Sequence, residues 1–143
     1  MQDQTSSLPV LVIGAGPVGL AAAAHLLARG LEPIVLEAGN AVGAGMATWS
    51  HVRMFSPWEF NVDAASVRLL APTGWTVPDP AGFPTGGELA RDYLEPLAAT
   101  PAIARLTSAP ASRAGRAWAR WPMINRRLSL ACIFGRPLAF FAN

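Results

Sequence analysis

The sequence predicts an α/β fold with a parallel sheet, and three observations near the start of the chain indicate it. A run of branched apolar residues at 10–13 is typical of a strand that is buried on both faces. A glycine-rich turn and an alanine-rich helical segment follow this run, and a second apolar run at 34–36 ends on Glu37. Strand, helix and strand in this order predict a βαβ unit, whose two strands lie parallel.

The turn after the first strand has the spacing of a dinucleotide-binding unit. Gly14 permits the tight turn, Gly16 lets backbone N–H groups approach a pyrophosphate, and Gly19 lets the helix lie close on the sheet. The N-terminus of the helix carries unpaired N–H groups and about half a positive elementary charge, so it attracts an anion. The spacing therefore predicts a pyrophosphate site, and a tight turn without a ligand is the alternative.

The helix after this turn is expected to begin at Pro17, because the N–H that proline lacks has no partner in the first turn. Arg29 in the last turn and Gly30 just beyond it form a favourable C-terminus. Glu37 then ends the second strand, where a carboxylate accepts hydrogen bonds from ribose hydroxyls and repels a 2′-phosphate. These residues predict FAD or NAD as the ligand and do not decide between them.

Residues 14–20 together with 37–39 resemble the amino-terminal FAD-binding unit of two-dinucleotide-domain flavoproteins, the group that contains flavin monooxygenases and pyridine-nucleotide-dependent reductases. The resemblance implies a Rossmann-like FAD/NAD(P)-binding domain over residues 8–108, with FAD as the cofactor and NAD(P)H as the reductant. It implies a cofactor-binding set near the glycine turn, namely Gly14, Ala15, Gly16, Pro17, Val18, Gly19, Glu37 and Ala38.

The resemblance continues beyond the second strand. Residues 42–49 are similar to the second glycine-rich loop of these enzymes, which a tryptophan closes, and residues 51–58 resemble the stretch near the isoalloxazine ring. Trp49 and Arg53 are therefore added to the cofactor-binding set. Arg53 carries paired donors suited to a pyrophosphate or a flavin carbonyl, with an ordinary surface arginine as the equal alternative. For Trp49, simple packing is the favoured alternative.

The middle of the chain predicts further elements. Prolines and glycines at 71–84 indicate a surface excursion. Thr85 and Glu88 have the spacing of a capping box, which starts a helix. Pro96 predicts a kink or stop in that helix. In the flavoproteins that the chain resembles, such a helix leads to the next parallel strand, so the resemblance implies a strand at 103–106.

The balance of acidic and basic residues changes near residue 105. Residues 1–104 carry four arginines and nine acidic residues, whereas residues 105–143 carry seven arginines and no acidic residue. This composition, together with the lack of later flavoprotein motifs, favours a shortened or frame-altered form of a longer flavoprotein, with an incomplete sheet. A phosphate-binding basic patch and contact with an anionic membrane are the alternatives, and burial of the apolar end is favoured over the membrane contact.

Composition and cysteine content narrow the function classes. Residues 1–7 are expected to be a flexible amino terminus without a secretory signal, and residues 109–143 a basic tail with an apolar end. No transmembrane segment and no nucleic-acid partner are expected, and the predicted localisation is cytoplasmic. Self-association is expected through the uncovered sheet or the apolar tail. Cys132 is the single cysteine, which excludes an internal disulfide, and two distant histidines do not make a metal site.

The sequence thus predicts a FAD-binding oxidoreductase, with monooxygenase chemistry driven by NAD(P)H as one form of it. A non-catalytic nucleotide-binding fragment and an NAD-binding reductase domain are the alternatives. The substrate is a small molecule that the sequence does not identify, and the sequence names no catalytic acid, base or nucleophile.

Overall fold

A computed structural model describes residues 9–106 of the chain. Strand β1 (Leu11–Ile13) leads through the glycine turn into helix α1 (Pro17–Leu27), and strand β2 (Ile34–Leu36) follows. The two strands pair in parallel. The structure therefore confirms the predicted βαβ unit and the order of its elements. The predicted amino terminus at 1–7 and the predicted tail at 109–143 lie outside the described residues.

Burial of β1 differs from the prediction. Val12 is buried and lies opposite Val35, which is fully buried on β2. Leu11 and Ile13 are 43% and 60% exposed. Successive side chains of a strand point to opposite faces, and within residues 9–106 one face of this sheet is packed. The prediction of burial on both faces is therefore wrong for the part of the chain that the structure describes.

Helix α1 begins at Pro17 as predicted, but it ends at Leu27, so Arg29 lies beyond its last turn and not in it. Gly16 caps it in an extended conformation, and Pro17 occupies the first helical position. Leu20 is buried on the side that packs into the core. The chain leaves the helix through Gly30, whose φ of +75° lies in the left-handed region and whose N–H donates to the Leu27 carbonyl at 2.9 Å.

Short helical segments connect β2 to the second half of the fold. A 3₁₀ helix spans Ala44–Trp49, helix α2 spans Trp58–Asn61, helix α3 spans Ala64–Leu70, and a 3₁₀ turn spans Ala71–Thr73. Helix α3 packs against α1. No helix or strand occurs at 74–84, in agreement with the predicted excursion, although two of its side chains pack against the core, Trp75 and Val77.

The predicted capping box starts helix α4 (Gly86–Leu89). The Glu88 N–H donates to the Thr85 hydroxyl oxygen at 3.2 Å, and the Thr85 N–H donates to the Glu88 carboxylate at 2.7 Å. Two N–H groups at the helix start are thereby satisfied. The reciprocal bonds confirm the prediction from the sequence.

Helix α4 continues through a π-helical turn (Ala90–Leu94) into helix α5 (Glu95–Ala99), which contains Pro96. Proline has no N–H to donate to the carbonyl four residues earlier, which belongs to Asp92. The Trp75 indole N–H donates to that carbonyl at 2.7 Å. Of the predicted kink or stop near Glu95, the stop is wrong, because the helix accommodates the proline with a π-helical turn and an indole donor. The kink stays a prediction.

The predicted strand at 103–106 is also wrong. Helix α6 (Pro101–Ala104) includes the first two residues of this segment and buries Ile103 completely, and a turn follows at 105–106. The Leu106 carbonyl accepts a hydrogen bond from the Val35 N–H at 3.0 Å. Because the backbone groups of successive strand residues point to opposite edges, this bond lies on the edge of β2 that faces away from β1.

One apolar core joins the βαβ unit to the helices at 86–104. Its buried members come from the βαβ unit, the 3₁₀ helix at 44–49, α2, α3 and the long helix at 86–99, together with residues 103 and 106. They are Val12, Ala15, Leu20, Ala23, Val35, Met46, Trp58, Leu70, Leu89, Tyr93, Leu94, Leu97, Ile103 and Leu106. Among the described residues, the helices are too short or too polar to cross a bilayer. The core places the glycine turn at the carboxyl end of both strands.

Candidate functional site

The glycine turn leaves open space beside the N-terminus of α1. Gly14 has a φ of +96°, which an L residue rarely adopts, and its N–H donates to the Leu36 carbonyl at 2.7 Å. A Cβ atom added at Gly14 or at Gly16 would meet no atom within 4 Å. The turn is therefore anchored to β2 on one side and open on the other, as the approach of a pyrophosphate requires.

Gly19 lets α1 touch the turn directly. A Cβ atom at this position would lie 1.9 Å from the Gly14 carbonyl oxygen and 3.5 Å from a methyl group of Val12. No side chain fits at the first distance. The structure thus agrees with the predicted reason for glycine here, which is the close approach of helix and turn.

Backbone donors at the start of α1 lie next to the glycine turn in the chain. The Leu20 N–H is bonded to the Gly16 carbonyl at 3.0 Å. The N–H groups of Val18 and Gly19 precede it in the first turn, where no carbonyl one turn earlier is available, and Pro17 has no N–H. Because these donors lie at the positive end of the helix dipole, an anion beside Gly16 would be stabilised.

Glu37 contacts the glycine turn, which the sequence analysis did not predict. Its Oε2 accepts a hydrogen bond from the Ala15 N–H at 2.6 Å, and its Oε1 accepts one from the Gly39 N–H at 2.7 Å. The side chain is half-buried at the end of β2, next to the exposed Ala38. A carboxylate offers about four lone-pair sites, so two remain for ribose hydroxyls.

Gly43 brings the second glycine-rich loop to the same residue, Ala15. Its N–H donates to the Ala15 carbonyl at 2.9 Å, and its φ of +67° starts the 3₁₀ helix in the left-handed conformation. A Cβ atom at Gly43 would lie 3.1 Å from Leu94 of the long helix. The glycines of the loop indicate a turn in the sequence, but they do not show which group the Gly43 N–H binds.

Trp49 and Arg53 make their contacts with the segment at 83–86. The Trp49 ring lies against the start of α4, where a Cβ atom on Gly86 would be 2.4 Å from the indole. An Arg53 N–H donates to the Phe83 carbonyl, and Arg53 pairs with Thr85 in an isolated antiparallel bridge. This contact agrees with simple packing as the role of Trp49, which was the favoured alternative to cofactor binding. The cofactor roles of both residues stay predictions.

A second polar cluster joins α1 to α3. His25 Nε2 lies 2.8 Å from Asp63 Oδ1, and the Ser66 N–H donates to Asp63 Oδ2 at 2.9 Å. Partial burial raises the pKa of the Asp63 carboxyl, but the bonds from Ser66 and His25 outweigh burial and lower this pKa below 3.8. Within residues 9–106, no group of three or more potential metal ligands is present.

Comparisons with known proteins identify the family. The sequence matches the family described as FAD dependent oxidoreductase over residues 9–138. The fold is similar to that of OTEMO in its crystal structure with FAD and NADP, with a TM-score of 0.51 and 20% sequence identity over 72% of this chain. The match covers 19% of the OTEMO chain, and no curated protein matches the sequence. Because the family match spans most of the sequence, the chain belongs to the family of FAD-dependent oxidoreductases.

Proposed function

We propose that the chain binds FAD, with the pyrophosphate beside Gly16 and the N-terminus of α1, as part of a flavin-dependent oxidoreductase. The observation that carries the proposal is the open space at Gly14 and Gly16, which backbone donors and the helix dipole face. A tight turn that binds no ligand would not require glycine at position 16, because a small apolar side chain would fit in the open space there. The family supports FAD over NAD as the dinucleotide.

The proposed cofactor contacts divide into two groups. At the glycine turn, backbone N–H groups bind the pyrophosphate and the free lone pairs of Glu37 accept from the ribose hydroxyls. Trp49 and Arg53 lie with the 83–86 segment and are proposed to face the flavin end of the cofactor. The full proposed set is Gly14, Ala15, Gly16, Pro17, Val18, Gly19, Glu37, Ala38, Trp49 and Arg53.

Bound FAD supplies hydride and electron transfer, for which the protein provides position and polarity. NAD(P)H as the reductant is supported by the NADP in the OTEMO structure, and a monooxygenase reaction is supported by the sequence resemblance. We further propose a cytoplasmic location, a domain over residues 8–108, and self-association through the uncovered sheet or the apolar tail. The small-molecule substrate is not identified by any of these residues.

The test is the visible absorption spectrum of the purified 143-residue chain after FAD has been added and the excess removed. We expect stoichiometric flavin with the wild type and strongly reduced flavin with Gly16→Val, whose branched side chain fills the open space. Ala28→Val is the control, since it also introduces a valine side chain, at the exposed opposite end of α1. Equal flavin retention by both variants, with intact circular dichroism, would refute the pyrophosphate site.

An NAD-binding reductase domain is the second candidate, because the glycine turn and Glu37 suit either dinucleotide. A ligand that binds only the folded chain raises its apparent stability in proportion to affinity and concentration. Thermal unfolding with FAD and with NAD at equal concentrations separates the two. A larger shift with FAD supports the first proposal, whereas a larger shift with NAD replaces it. No shift with either ligand would leave a chain that has lost nucleotide binding.

A further inference from the structure

We propose that Glu37 is a positioning residue for the pyrophosphate-binding turn, and that it acts through the backbone of Ala15 as well as through the ribose. The proposal rests on the proposed function, since it concerns the same site. Its basis is the pair of short bonds from the Glu37 carboxylate to the N–H groups of Ala15 and Gly39.

The Ala15 peptide groups are fixed by polar bonds on both sides. The Ala15 N–H donates to Glu37, and the Ala15 carbonyl accepts from Gly43 at 2.9 Å. The two neighbours of Ala15 in the chain are glycines, whose backbones are free to adopt many conformations, and no side chain packs in the space beside them. Hydrogen bonds therefore help to fix the orientation of this turn, in addition to the burial of the Ala15 side chain in the core.

The other oxygen of Glu37 extends the restraint to the loop after β2. Gly39 donates to Oε1 at 2.7 Å, and a Cβ atom on Gly39 would lie 2.2 Å from the Ala44 side chain at the start of the 3₁₀ helix. The Glu37 carboxylate thus connects the first glycine turn to the loop after β2, which leads into the second glycine-rich loop. Hydrogen bonds to an ionised acceptor are about twice as strong as neutral ones, so this tie is stronger than an ordinary turn bond.

The Ala15 N–H is consequently unavailable to a phosphate. The remaining backbone donors near the open space are those of Gly16, Val18 and Gly19, and the first of them follows the Ala15 peptide directly. If Glu37 no longer accepts from Ala15, the Gly14–Ala15 peptide loses its restraint, and only the Gly43 bond still holds the next peptide, which carries the Gly16 N–H. Loss of Glu37 should therefore weaken binding of the diphosphate even when no ribose hydroxyl is present.

Calorimetric titration with ADP and with 2′,3′-dideoxy-ADP tests this prediction on the full chain. Glu37→Gln places an amide NH₂ opposite one of the two N–H donors, so at least one bond is lost. We expect dideoxy-ADP to bind Glu37→Gln about tenfold more weakly than wild type, as loss of one charge-assisted bond implies. Glu59→Gln, on an exposed side chain of α2, is the control and should change nothing. Equal dideoxy-ADP affinity in wild type and Glu37→Gln would overturn the proposal.

Amide hydrogen exchange in the ligand-free chain supplies a measurement that does not depend on nucleotide binding. Whichever of the Ala15 and Gly39 N–H groups faces the new NH₂ group should exchange about tenfold faster in Glu37→Gln than in the wild type, and both rates should be unchanged in Glu59→Gln. If wild type binds neither nucleotide while at least one of these two amides loses protection in Glu37→Gln, the proposed function fails and the positioning role stands. Unchanged exchange at both amides would overturn the positioning role, whatever the affinities are.

Discussion

Replacing Gly19 with alanine should destabilise the fold, although alanine is the better helix former. The new Cβ atom would lie 1.9 Å from the Gly14 carbonyl oxygen, whereas ordinary contacts begin at 3.4 Å, so α1 must move by about 1.5 Å. The oxygen cannot yield easily, because Gly14 is bonded to Leu36 at 2.7 Å. The higher helix propensity of alanine stabilises the variant by about 1 kcal/mol, whereas overpacking against the backbone destabilises it by about 3 kcal/mol or more. We expect the free energy of unfolding to fall by about 2 kcal/mol or more.

Urea unfolding followed by circular dichroism measures this loss, and Gly16→Ala is the matched comparison. Gly16 has a φ of −84° and open space around its Cβ position, so the alanine variant should unfold within about 0.5 kcal/mol of wild type. The two glycines lie three positions apart and differ in the atoms that face them. If Gly19→Ala were as stable as Gly16→Ala, the close approach of helix and turn would not be the reason for glycine at position 19.

Two further predictions concern the helices. The pKa of Asp63 is lowered in the folded chain, so its charged form stabilises the fold above pH 3.8, and this contribution is lost as the pH falls through the lowered value. The difference in melting temperature between wild type and Asp63→Asn should therefore shrink below that pH, and a constant difference would contradict the role of its charge. Trp75→Phe keeps an aromatic ring beside Tyr93 but removes the N–H donor to Asp92, which should cost about 1 kcal/mol in urea unfolding. Unfolding at the wild-type urea concentration would show that this donor is dispensable.

The βαβ unit could be predicted because each of its signals is local. Gly14 permits a left-handed turn, Pro17 starts a helix, and an apolar run at 34–36 completes a parallel pair. The capping box at Thr85 was equally readable, since both of its partners lie within one helical turn. Such features depend on a few neighbouring residues, whose conformational preferences agree with the fold.

The remaining features depend on distant partners. Ile103 has the branched side chain of a strand residue, yet Thr100 and Pro101 start a helical turn that buries it. The π-helical turn before Pro96 depends on an indole donor supplied from position 75. At the site, Glu37 was predicted at the end of β2, but its bonds to backbone N–H groups could not be derived from spacing alone.

The Gly43–Ala15 bond bears on the order in which the chain folds. Contacts within the βαβ unit join residues close in sequence, so we expect this unit to form early. The second glycine loop reaches Ala15 from beyond β2, and Gly43 itself packs near Leu94, which belongs to a much later helix. A chain in which β1, α1 and β2 have already formed would then still lack the bond from the second glycine-rich loop to the glycine turn. Competence to capture a dinucleotide would accordingly emerge in a late folding step, and a ligand present during refolding would stabilise the product of that step.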